Sequence, residues 1–187
     1  MSVFVNTGLT PNMLTMFGLA LNLAVAALLA SGNLVAGALL LLFAAAFDMA
    51  DGALAKVTGQ TSTFGAFLDS VIDRYSDAIM LGGLLIYYLL LPANGHIIEI
   101  LLIFAATVGG GMISYARAKA ESLQLEGRVG LLARPERILL LAAGLLFSPL
   151  WWWALPAALW ILAIGTQLTA IQRIWHVYRT ARLKIKD

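Results

Sequence analysis

The stretch Asp48-Met49-Ala50-Asp51-Gly52-Ala53-Leu54-Ala55-Lys56, followed after eight residues by Gly65-Ala66-Phe67-Leu68-Asp69-Ser70-Val71-Ile72-Asp73, sets four carboxylates inside otherwise apolar runs. Asp48 and Asp51 are three positions apart and Asp69 and Asp73 four. At about 100° per residue each pair therefore shares one helix face. A charge inside a bilayer costs several kcal/mol, so these groups have a partner or a use. With an exit near Thr58 and a re-entry near Phe64, both pairs lie about 8 to 15 Å below the same membrane end. A hairpin through Gly59 and Ser62 then brings the four carboxylates together.

Working outward, the whole chain of 187 residues is 61% apolar and 12% charged, with a mean hydropathy of +0.89. Ordinary soluble domains have about twice that charge, so a soluble globular protein is excluded. The pattern predicts an all-α integral membrane protein, a single membrane domain over residues 1–187 with six transmembrane helices. The spans are expected at roughly 11–30, 34–58, 64–91, 97–120, 134–148 and 153–175. The residues before Pro11 lack the basic stretch of a signal peptide, and the first run reads as a true span. Ser31-Gly32-Asn33 and Pro92-Ala93-Asn94-Gly95 supply tight turns, and Ser148-Pro149 and Pro156 divide the last apolar stretch in two. The absence of cysteine removes disulfides, thiolate metal sites and cysteine nucleophiles.

Charge gives the orientation. The turns near 31–33, 92–96 and 148–153 contain no Lys or Arg, and all twelve basic residues lie on or toward the opposite side. The positive-inside rule then makes both termini cytoplasmic, in a multi-pass cell-membrane protein whose aspartates face the cytoplasm. Trp151, Trp152 and Trp153 fit an outer aromatic belt, and Gly109-Gly110-Gly111 allows close helix packing. Asp77, one turn deeper than Asp73, reads as a helix-packing hydrogen bond. His96, His176 and Glu99 fall at membrane boundaries and receive no catalytic role.

Lys56 and Arg74 cannot neutralise four or five neighbouring carboxylates, whereas a divalent cation can. All-oxygen ligation suits Mg²⁺, Mn²⁺ or Ca²⁺, and the lack of Cys and of a nearby His argues against zinc. Gly52 and Ala55 keep the adjacent face free of bulk, which admits a phosphate group.

Read as Asp48-x-x-Asp51-Gly52-x-x-Ala55-Lys56, eight residues, Gly65-x-x-x-Asp69-x-x-x-Asp73, the segment resembles the signature of the CDP-alcohol phosphotransferase family of membrane enzymes. Every spacing matches. Lys56 stands where the family usually has Arg, keeping the charge without the planar fork. The resemblance implies six transmembrane helices, a homodimer, and displacement of CMP from a CDP-activated donor by an alcohol. It assigns two divalent ions, Mg²⁺ or Mn²⁺, to Asp48, Asp51 and Asp69 with help from Asp73. Asp73 would also be the catalytic general base. Gly52, Ala55, Lys56 and Gly65 would border the CDP donor.

Thr10-Pro11-Asn12, Ser114-Tyr115-x-Arg117-x-Lys119-Ala120-Glu121, Arg134-Pro135-Glu136-Arg137 and Gln172-Arg173 resemble one branch of that family, the actinobacterial phosphatidylinositol phosphate synthases. By that resemblance Arg117, Arg137 and Arg173 hold the acceptor's phosphate, Arg117 replacing the branch's usual Lys. The branch usually has a longer amphipathic segment before the first span. The implied substrates are CDP-diacylglycerol and a phosphorylated alcohol, inositol phosphate foremost, at a lipid bilayer and with no nucleic-acid partner. Glycerol 3-phosphate as acceptor, and a CDP-inositol or archaeal diether donor, remain open alternatives of the same chemistry. A divalent-cation transporter is the alternative of another class, although the outer half holds Glu99 alone as an acidic residue. The basic tail from His176 reads as a solvated or interfacial end on anionic headgroups.

Overall fold

The computed structural model describes the backbone of residues 11–58, 62–92, 95–127 and 129–184, with the side chains of these except 11–12, 50–58 and 183–184. Among the described residues all regular structure is helical: α1 (Pro11–Ala30), α2 (Leu34–Thr58), α3 (Thr63–Leu90), α4 (Ile97–Ser122), α5 (Arg134–Phe147) and α6 (Ala154–Lys184). Three of these, α1, α4 and α6, are long and apolar enough to cross a membrane unaided. In α2 the apolar part is the shorter Leu34–Met49. α3 carries Asp69, Asp73, Arg74 and Asp77 in its first half, and α5 has only 14 residues. Many large apolar side chains are exposed, among them Phe104, Trp160, Ile164 and Ile171, as lipid contact requires of a membrane protein. Two compact units divide the chain, Met1–Tyr87 and Tyr88–Asp187.

In the first unit, α1 ends because Gly32 adopts φ +81°, a left-handed conformation that glycine enters without strain. The Asn33 N–H donates to the Leu28 carbonyl and the Gly32 N–H to the Leu29 carbonyl, closing the helix in a Schellman turn before α2 starts. Val25 and Leu29 of α1 and Ala38 and Leu41 of α2 are buried. Phe17 meets Phe47 edge-on at 5.3 Å between ring centroids. α1 and α3 approach backbone to backbone at Gly83, where an added Cβ would stand 2.6 Å from the Ala26 Cα. At the start of α3 the Gly65 N–H donates to Ser62 Oγ at 2.9 Å, an N-cap that fixes the first turn below the aspartates.

In the second unit, α6 is flanked by α4 and α5. Gly109 lets α4 approach Thr166, and the Gln167 side-chain amide donates to the Ala105 carbonyl at 2.9 Å. Gly144 plays the same part for α5, against Ala158. The expectation of close packing holds for Gly109 and Gly110 but not for Gly111, which faces open space. α4 closes in a second Schellman turn, with Gln124 at φ 56° and the Leu125 N–H donating to the Ala120 carbonyl. α6 does not stop near residue 175 but continues to Lys184. Its last turns are rich in Ala, Leu, Arg and Lys, good helix formers whose polarity lowers hydropathy without ending the helix. The Arg182 guanidinium lies over the Tyr178 ring there, 5.0 Å from its centroid. Trp151, Trp152 and Trp153, in the turn before α6, are all exposed, as a belt at the membrane boundary demands.

Candidate active site

Asp48 of α2 and Asp69 and Asp73 of α3 each turn a carboxylate oxygen to a common point, all within 4.8 Å of one another. The spacing of Asp69 and Asp73 puts both on one face of α3, and the short connection from α2 brings Asp48 opposite them. Asp69 is exposed, while Asp48 and Asp73 are half-buried. Arg74 stands at the edge, Nη1 being 3.6 Å from an Asp73 oxygen and donating to the Ser70 carbonyl at 2.8 Å. One edge cation cannot balance three converging carboxylates. The donor set is all oxygen, anionic and mutually repelling, which fits a hard divalent ion such as Mg²⁺ or Mn²⁺. The side chains of Asp51, Gly52, Ala55 and Lys56 lie outside the described residues. Gly65 is in place at the foot of α3, its N–H occupied by Ser62. Asp77, one turn on, does not belong to the cluster.

The three arginines expected to meet the acceptor belong to the second unit. Arg137 lays its guanidinium over Gly110 of α4, where an added Cβ would collide with it. Arg173 is buried, with 8% of its surface exposed. Its Nε donates to the Val129 carbonyl and its Nη1 to the Ile113 carbonyl, both at 2.7 Å. Gly110, Ile113 and Arg117 follow at intervals of three and four residues, so Arg137 and Arg173 address the α4 face that carries Arg117. Arg117 is half-exposed and pairs with Glu121 one turn on, Nε to Oε1 at 2.9 Å. The structure thus brings all three to one helix face, but in different states: one over a glycine, one pinned to backbone and one at the surface. His96 lies 3.9 Å from Glu99 at the start of α4, apart from the three arginines. Thr166 and Thr169, buried on α6, went unnoticed in the sequence. With Arg173 they form a polar stripe at intervals of three and four on an apolar helix, a signal that could have revealed them.

Residues 8–172 match the model of the CDP-alcohol phosphatidyltransferase family. The chain belongs to this family. The CDP-alcohol phosphatidyltransferase fold and class are therefore those of a membrane transferase, and the cation-transporter alternative falls away. Among family members, the chain is 38% identical to the phosphatidylinositol phosphate synthase of Mycobacterium marinum over 176 residues, 91% of this chain and 74% of the relative. It is also 38% identical to the archaetidylinositol phosphate synthase of Methanothermobacter thermautotrophicus over 172 residues, 91% of this chain and 83% of that protein. The crystal structure of the Mycobacterium tuberculosis phosphatidylinositol phosphate synthase with CDP-DAG bound matches at TM-score 0.86 and 34% identity, covering 94% of this chain and 89% of that one. The same enzyme in complex with manganese and citrate matches at TM-score 0.86, covering 94% and 85%.

Proposed function

We propose that this CDP-alcohol phosphatidyltransferase makes phosphatidylinositol phosphate, moving a phosphatidyl group from CDP-diacylglycerol to inositol phosphate with release of CMP. The observation that carries the reading is the convergence of Asp48, Asp69 and Asp73 within 4.8 Å, in a chain 38% identical to a phosphatidylinositol phosphate synthase. Asp48, Asp51 and Asp69, with Asp73, hold divalent metal, Mg²⁺ or Mn²⁺, and the manganese in a neighbouring structure supports this. Bound metal neutralises the donor's pyrophosphate and the charge that develops on the departing CMP. Asp73 takes the proton from the attacking hydroxyl, a role supported by its half-buried carboxylate within the cluster. Gly52, Ala55, Lys56 and Gly65 border the nucleotide. Arg117, Arg137 and Arg173 supply the positive charge that a phosphomonoester acceptor requires.

All six helices are read as membrane-crossing, with both termini and the aspartates on the cytoplasmic side, and the chain as one catalytic domain working in a homodimer. The absence of Lys and Arg from the turns near 31–33, 92–96 and 148–153 supports that orientation. A diether CDP-lipid donor is a second reading, favoured by the identity to an archaetidylinositol phosphate synthase.

The deciding experiment gives purified protein CDP-diacylglycerol with inositol phosphate and glycerol 3-phosphate at equal concentration, and identifies the lipid product by mass spectrometry. Phosphatidylinositol phosphate is expected to predominate, and predominant phosphatidylglycerol phosphate would refute the acceptor while leaving the family intact. A parallel reaction with the diether donor separates the two donor readings.

A further inference from the structure

α5 begins without a cap of its own. Ala133 precedes it in extended backbone and offers no side-chain hydrogen bond to the first turn. Pro135 presets the backbone of the first turn, but it does not fix where the segment before α5, and with it Arg137 at the end of that turn, sits against the other helices. The structure supplies that placement from α6. Arg173 Nε takes the Val129 carbonyl, and Thr169 Oγ1 accepts the Leu132 N–H at 3.2 Å. Gly130, at φ +133°, passes so close to Thr169 that an added Cβ would strike its methyl group. Leu132 fills the notch at Gly165 one turn earlier on the same helix. Arg173 and Thr169 are both buried and their bonds to Val129 and Leu132 part-buried, which limits competition from water. Through Nη1 and the Ile113 carbonyl, Arg173 ties the same assembly to α4, the helix on which the Arg137 guanidinium rests.

We propose that Thr169 and Arg173 are positioning residues: together they strap residues 129–132 to α6 and thereby set the place of Arg137 for the acceptor's phosphate. The proposal rests on the reading of Arg137 as an acceptor-binding group. It gives Arg173 a task that charge alone does not perform, because two carbonyls in different segments need the guanidinium fork, and a lysine ammonium cannot reproduce it. Thr169 carries no charge and acts only through the strap.

The test uses the full chain in lipid nanodiscs, with hydrogen–deuterium exchange over residues 129–133 and Michaelis constants for inositol phosphate and CDP-diacylglycerol. Thr169→Val should speed exchange in that segment and raise the acceptor KM about fivefold or more, the effect of one lost hydrogen bond. The KM for CDP-diacylglycerol should stay near the wild-type value. Thr169→Ser keeps the hydroxyl and should restore both readouts. Arg173→Lys should behave like Thr169→Val and not like the wild type. If Thr169→Val does not fold, Gly130→Ala loosens the same contact and should give the same pattern. A wild-type acceptor KM in Thr169→Val or Arg173→Lys, or an equal rise in both Michaelis constants, would overturn the strap. If the unaltered protein does not use inositol phosphate, the acceptor reading fails, and exchange alone judges the strap: unchanged protection in Thr169→Val overturns it.

Discussion

Asp48 and Asp73, on successive helices, bring carboxylate oxygens within 4.8 Å of each other. Two like charges this close repel wherever water is scarce, and a bound divalent cation would relieve that repulsion. The cluster is therefore a site where stability is given up for function.

Asp48→Asn should show this directly. CMP release in saturating Mg²⁺ should fall by about 10² or more, as when a charge-stabilising group is lost. In EDTA the same variant should melt at a higher temperature than the wild type. Activity assays and thermal unfolding in detergent check the two halves, and full activity in EDTA would remove the metal from the account.

Asp73→Asn should separate binding from turnover. The amide retains volume and a ligand oxygen but cannot accept the acceptor's proton. CDP-diacylglycerol binding should persist while turnover falls by about 10² or more. Equal losses in both would make Asp73 a ligand only.

On the reading that Arg117 meets the acceptor's phosphate, Glu121 competes for the same guanidinium. The pair is exposed on both sides, with 42% and 46% of the side chains accessible, so it is held weakly. Glu121→Gln should lower the acceptor KM by about two- to fivefold, since exposed pairs contribute at most about 1 kcal/mol. Added salt should shrink the difference between variant and wild type.

Gly83→Ala addresses the close approach of α1 and α3. The new methyl would stand 2.6 Å from the Ala26 Cα, against backbone that cannot rotate aside. A destabilisation of about 1 to 3 kcal/mol is expected, the usual range for overpacking. Unfolding in detergent measures it, and Gly82→Ala, where an added Cβ meets nothing, is the control.

The carboxylate cluster was legible because it is local. Asp69 and Asp73 are four apart on one helix, and Asp48 lies on the helix just before it in sequence, so helical geometry and depth alone predict the meeting. The hairpin at Ser31-Gly32-Asn33 was readable for the same reason. The arginines were not. Arg173 finds its partners at Val129 and Ile113, 44 and 60 positions away, and neither periodicity nor composition records a contact of that range. The resemblance gave Arg173 a role toward the acceptor's phosphate but not the two backbone carbonyls that its nitrogens serve. The length of α6 escaped for a different reason: hydropathy reports where lipid ends, and helix propensity reports where the helix ends. In Ala154–Lys184 the two do not coincide.

α5 and α6 lie side by side with 14 and 31 residues, about 21 and 46 Å of helix. A hydrocarbon layer of about 30 Å matches neither. On the reading that all six helices cross the membrane, acyl chains beside the shorter helix compress or disorder to meet its ends, while the longer one tilts or emerges. The same reading ties the enzyme's resting geometry to the thickness of the bilayer around it, and makes the lengths of the fatty chains in that bilayer part of its working environment.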